Sequence, residues 1–215
     1  DRESPEVDAY RLLRTRVLHR IEQNGWKTVG VTSAGSGEGK TLTAINLAIS
    51  IAREGKYSVM LVDADLRRPT VDRCFGLAPK KGLAEYLASE PPLEELLINP
   101  NIERLVILPG GHPRKGASEQ LSSVAMQNLV DEVKARYPNR LVIFDLPPVL
   151  IGDDVVKFTP QLDALLFVVQ EGKTRKGELA KALELVKDHN IVGTVLNRSE
   201  DLIHSYGYYR HEKGA

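Results

Sequence analysis

From residue 28 the chain runs TVGVT, then SAGSGEGKT, then LTAINLAISIAREG. An apolar β-branched strand, a glycine-rich turn and an amphipathic helix follow one another without a spare residue. That succession opens a βαβ unit whose turn is built to hold phosphate. Gly35, Gly37 and Gly39 let the backbone curl until successive N–H groups share one concavity. The helix N-terminus adds its partial positive charge there. Lys40 has the reach for the β- and γ-phosphates, and the Thr41 hydroxyl is a ligand for Mg²⁺. Ala34 replaces the first glycine usual in such loops, and Leu42 stands where a second hydroxyl is common. Neither change removes a phosphate-facing amide.

The rest of the chain repeats the strand–helix rhythm. Strands are expected at Thr28–Thr32, Ser58–Asp63, Leu105–Leu108, Leu141–Asp145, Ala164–Val169 and Val192–Leu196. Several are apolar throughout, the mark of strands covered on both faces. Helices are expected near 40–53, 80–98, 118–136 and 174–188, preceded by a leading helix at about 5–23 with Tyr10, Leu13, Val17 and Ile21 on one face. The expected architecture is α/β: a mostly parallel central sheet with helices on both faces, in one domain over 1–197. Residues 198–215, RSEDLIHSYGYYRHEKGA, read as a flexible tail.

The 215 residues suffice for one sizeable core. Lys plus Arg and Asp plus Glu number 29 each, so no net field recommends nucleic acid as a partner. The lone Cys74 cannot form a disulfide within the chain, which fits a reducing cytoplasm. No apolar stretch approaches the length of a membrane span. A start at Asp1 without methionine suggests a fragment of something longer. The five histidines lack metal-ligand spacing and are assigned no zinc site.

Two carboxylate sites accompany the loop. VMLVDADLRRP sets Asp63 and Asp65 at the C-terminal end of a strand; in an extended segment their side chains project to one side. LVIFDLPP sets Asp145 at the end of the most apolar strand. In a parallel sheet that edge is where ligands collect. Mg²⁺ beside a triphosphate needs such oxygens. Asp63 and Asp65 are candidates to take a proton from an attacking hydroxyl, and Arg67 to pair with phosphate or with a carboxylate. Arg68 is read as a structural or interface residue. Asp153 and Asp154 are read as caps of a following helix, and the Glu38 side chain as facing out of the loop.

With its AGSGEGKT, LVDADLR and VIFDLPP motifs, together with RRPTVDRCFGL, LPGG followed by SEQLSS, and GTVLNR, the chain resembles the cytoplasmic domain of bacterial tyrosine kinases, the group tied to capsule and exopolysaccharide export. The likeness covers nearly the whole chain. It implies a P-loop NTPase fold of the deviant-Walker type, related to partitioning and septum-site ATPases. The early lysine of the K-G-G-x-G-K loop of those relatives is Gly35 here, which argues against that subgroup.

The resemblance also implies roles. ATP would lie on Gly35, Ser36, Gly37, Glu38, Gly39, Lys40, Thr41 and Leu42, with Arg67 near by and Asn197 at the adenine. Mg²⁺ would sit by Thr41, Asp63 and Asp145, Asp63 being the metal-proximal carboxylate, and Lys40, Asp63, Asp65 and Asp145 would form the catalytic set. Tyr206, Tyr208 and Tyr209 would be the phosphoacceptors. DAYRLLR is similar to the family's interface motif, with Asp8, Arg11 and Arg14 in its three charged positions, so a ring-like homo-oligomer is expected. So are an inner-membrane polysaccharide co-polymerase or activator segment, a cognate tyrosine phosphatase, and a location at the cytoplasmic face of the cell membrane. The competing expectation is an ATP-switched assembly module, a weak ATPase in which the tyrosines are incidental.

Overall fold

The computed structural model describes residues 4–112, 116, 119–137 and 139–199. Its frame is a sheet of six strands: β1 (Thr28–Ser33), β2 (Ser58–Asp63), β3 (Leu105–Leu108), β4 (Arg140–Asp145), β5 (Ala164–Gln170) and β6 (Ile191–Asn197). They lie in the order β3-β2-β4-β1-β5-β6, and every pairing between them is parallel. The six expected strands are all present, with ends within one residue of expectation.

Alternation along the strands sorts the core into two halves. Val59 and Leu61, Leu141 and Ile143, and Leu166 and Val168 face one side, where α1 (Pro5–Asn24) and α2 (Lys40–Glu54) cover them. Met60, Val62, Val142, Phe144 and Phe167 face the other. There α4 (Leu83–Ser89), α5 (Val124–Arg136), α6 (Asp154–Phe158) and α7 (Lys176–Leu185) supply the cover, after a single helical turn, α3 (Val71–Cys74). Burial on both faces explains why the central strands read as unbroken apolar runs. On α1 the buried residues are Val17, Leu18 and Ile21, with Leu13 packed against the same cluster.

Three expected helices are shorter than their patterns, the one expected near 174–188 running only over Lys176–Leu185. The one expected over 80–98 ends at Ser89: Glu90 is left-handed (φ 46°), and Pro91–Pro92 then exclude a continuing ladder. The one expected over 118–136 breaks at Ser123, whose hydroxyl accepts the Met126 N–H at 3.2 Å and starts α5 afresh. The helix expected after Asp153 and Asp154 is the five-residue α6, whereas the four-residue α3 was not expected and is too short to show a periodicity. Among the described residues no helix is long and apolar enough to cross a membrane. The acceptor candidates Tyr206, Tyr208 and Tyr209 lie outside the described residues.

Candidate nucleotide and phosphoryl-transfer site

Register and parity assemble the site. Asp63 closes β2 and lies directly opposite Asp145, which closes β4; Asp145 in turn lies opposite Val31 of β1. Both aspartates occupy positions that alternate with Leu61 and Ile143, so they face the side that α2 covers. The loop from Ser33 to Gly39 delivers the first turn of α2 to the same edge. Gly37 (φ 73°) and Gly39 (φ 96°) take left-handed conformations that a side chain would strain.

The Lys40 ammonium meets Asp65 Oδ2 at 2.9 Å and Asp145 Oδ1 at 3.4 Å. Thr41 Oγ1 donates to Asp145 Oδ2 at 2.7 Å. Burial works against the Lys40 charge, but the carboxylates of Asp145 and Asp65 outweigh it and hold the pKa above that of an ordinary lysine. Lys40 is therefore charged at neutral pH. Burial raises the Asp145 pKa even though Lys40 and Thr41 pull it down. A hydroxyl, a carboxylate and an ammonium thus share one point beside the loop amides.

The two carboxylates of DAD do not act as a pair on one side, because the extended backbone ends at Asp63. Asp63 Oδ2 accepts the N–H groups of Thr70 at 2.8 Å and Val71 at 2.9 Å, and Oδ1 accepts that of Asp65 at 3.2 Å. Both its oxygens are tied to backbone, and the side chain is wholly buried. Burial first, and the facing Asp145 second, push its pKa up to about 7. Asp65 points instead at Lys40. Of the two it is the one open to a substrate, at 10 % side-chain exposure.

Other expectations need correction. The Glu38 side chain does not face outward: it is only 2 % exposed and folds beneath the loop, where Oε1 accepts the Gly35 N–H at 3.1 Å. That bond fixes the curl of the loop from within. Arg67 shows the carboxylate of its two expected partners, with Nε and Nη2 both on Asp154 Oδ2 at 2.8 Å. Asp154 is thereby a buried partner and not a cap, while Asp153 precedes α6 without a side-chain cap bond and pairs with Lys157 at 2.5 Å. Arg68 is exposed and engages Asp65 through its backbone N–H. Leu42 is exposed on the first turn of α2. Asn197 reaches the loop, donating from Nδ2 to the Glu38 carbonyl at 2.8 Å. On α1, Arg11 pairs with Asp8 at 2.8 Å on the exposed face, whereas Arg14 turns inward to Glu54 (3.3 Å) and the Ser50 carbonyl (3.2 Å) of α2.

The donor set fits Mg²⁺ with a triphosphate. Thr41 Oγ1 and Asp145 Oδ2 offer hard oxygens to one ion, and among the described residues no group of three or more His, Cys, Asp or Glu is arranged to enclose a metal alone. A site of this kind needs phosphate oxygens to complete the shell. An amide-lined loop, an adjacent lysine and hydroxyl, and aspartates at the carboxyl edge of a parallel sheet make this a P-loop nucleotide-binding protein.

An AAA-domain family model matches residues 26–190. The tyrosine-protein kinase YwqD of Bacillus subtilis is 37% identical over 205 residues, spanning 94% of this chain and 85% of YwqD. The solved kinase domain of Escherichia coli tyrosine kinase ETK superposes with a TM-score of 0.82 at 28% identity, covering 89% of this chain and 74% of ETK's. The septum site-determining protein MinD of Pyrococcus horikoshii, complexed with Mg-ADP, shares the fold with a TM-score of 0.67 at 21% identity over 81% of this chain and 72% of its own. The chain belongs to the bacterial tyrosine kinase family.

Proposed function

We propose that this chain is an ATP-dependent autokinase that transfers the γ-phosphoryl group to tyrosines of a neighbouring copy's tail, Tyr206, Tyr208 and Tyr209. The observation that carries the reading is the double engagement of Lys40 by Asp65 and Asp145 beside Thr41. An ammonium held at that point is positioned to move from carboxylate to phosphate when ATP arrives.

The loop amides hold the phosphates, and Lys40 offsets charge on the phosphoryl group in flight. Thr41 and Asp145 would hold Mg²⁺, which when bound neutralises phosphate charge; Asp63, tied to three amides, supports the edge from behind. Asp65 takes the tyrosine proton. An unperturbed tyrosine has a pKa near 10 and is only about one part in a thousand ionised at neutral pH, so a nearby carboxylate is needed. The phenolic oxygen bonds to the γ-phosphorus as the bond to the ADP oxygen breaks.

On this reading the exposed Asp8–Arg11 pair of α1 belongs to a ring-like homo-oligomer, and phosphate gathered on the tails loosens the ring by mutual repulsion. The wider setting this reading gives the chain is regulation of capsule or exopolysaccharide polymerisation and export at the inner face of the cell membrane. An activator or co-polymerase segment and a cognate tyrosine phosphatase would be the partners.

The test mixes full-length Lys40→Met chain, as acceptor, with dephosphorylated wild-type chain and Mg·ATP. Phosphotyrosine in the tail of the Lys40→Met chain is expected. Label confined to the wild-type chain would contradict transfer between subunits, and ATP turnover with no protein phosphate would favour the assembly module.

A further inference from the structure

The phosphate loop is held from outside by three side chains that come from the ends of β5 and β6 and the turn after β5. Lys173 Nζ donates to the Ser36 carbonyl at 2.8 Å, and Asn197 Nδ2 to the Glu38 carbonyl at 2.8 Å. Between them lies Gln170. With its amide oriented by its two neighbours, Gln170 Nε2 donates to the Gly37 carbonyl at 2.9 Å and Oε1 accepts from Arg198 Nη1 at 3.2 Å. Three successive carbonyls thus have three dedicated donors.

A trans peptide unit is planar, with its C=O and the following N–H pointing opposite ways. Fixing the carbonyls of residues 36, 37 and 38 therefore aims the N–H groups of Gly37, Glu38 and Gly39 into the concavity. The donors are themselves well placed. Gln170 closes β5, its N–H bonds Thr174 Oγ1 at 2.9 Å, and its carbonyl accepts the N–H groups of Lys173 (3.2 Å) and Thr174 (3.0 Å). The donors sit close against the loop: a Cβ at Gly37 would lie 2.8 Å from Lys173 Nζ, and one at Gly39 would lie 2.0 Å from Asn197 Nδ2, so a side chain at either position would displace its donor.

We propose that Gln170 and Lys173, with Asn197, are positioning residues that set affinity for the nucleotide's phosphates by holding the carbonyls of Ser36, Gly37 and Glu38 turned away from them. The proposal rests on the ATP-binding reading above. It makes the turn after β5 part of the phosphate site without a contact to the ligand.

The experiment measures Kd for ATP, ADP and adenosine, the last by competition, on full-length wild type, Gln170→Leu, Lys173→Met and Lys173→Arg, with unfolding of each nucleotide-free protein recorded alongside. Gln170→Leu and Lys173→Met should each weaken ATP and ADP about tenfold, the worth of one well-placed hydrogen bond, leaving adenosine affinity as in wild type and every variant folded. Lys173→Arg should restore tight binding. Unchanged nucleotide affinity in both variants overturns the proposal, as does an equal loss for adenosine or failure of Lys173→Arg to restore. An effect at Lys173 with none at Gln170 also overturns it, since that marks a direct charge contact with phosphate. Failure of the wild type to bind ATP sinks the underlying reading instead, and the proposal with it.

Discussion

Asp63 stands opposite Asp145 across β2 and β4, both side chains fully buried; Lys40 and the Thr41 hydroxyl face Asp145, and backbone N–H groups face Asp63. Two facing buried carboxylates resist ionising together.

The pH dependence of stability follows. The folded pKa of Asp63 is raised to about 7, above that of an unfolded aspartate, so the native state binds the extra proton. Stability from this group is fully present below about pH 4 and is lost as pH rises through about 7. In nucleotide-free protein with chelator present, the melting temperature should fall by a few degrees between pH 5.5 and 8. Asp63→Asn should flatten that decline. A decline of equal slope in Asp63→Asn would remove Asp63 as its source.

Asp65 and Lys40 form a pair that ATP must open. Asp65→Asn should leave the ammonium held by Asp145 alone and tighten ATP binding several-fold, while tyrosine phosphorylation falls about a hundredfold or more through loss of the proton acceptor. Opposite signs for binding and turnover are the signature. Weaker binding together with lower turnover would instead make Asp65 part of the nucleotide site.

The Arg67–Asp154 pair should respond asymmetrically. Asp154 is buried whereas Arg67 is 44 % exposed in its side chain. Arg67→Ala strands a buried carboxylate and should cost about 2–3 kcal/mol; Asp154→Ala leaves an arginine that can reach water and should cost about 1 kcal/mol. The double variant should be more stable than Arg67→Ala alone. Chemical denaturation of the four proteins closes the cycle, and simple additivity would show that the pair is not coupled.

The fold and the axis of the site were legible because both rest on local order. Strand, glycine turn, lysine and helix are contiguous, and parity along β2 and β4 follows from residue spacing alone. What escaped depends on partners distant in the chain. Asp63 leaves Asp65 because the amides of Thr70 and Val71 lie within its reach, and Arg67 finds Asp154 only once β4 lies beside β2. Glu38 carries a charge that composition assigns to the surface; its place beneath the loop follows from a bond to Gly35 that no residue type announces. Gln170 and Lys173 look like ordinary turn residues for the same reason.

The most direct measurement maps phosphate on dephosphorylated full-length protein after incubation with Mg·ATP, beside Lys40→Met under the same conditions. Phosphotyrosine at Tyr206, Tyr208 or Tyr209 in the wild type, and none in Lys40→Met, is the predicted result. ATP consumed with no phosphotyrosine formed, or equal phosphotyrosine in both proteins, would contradict it.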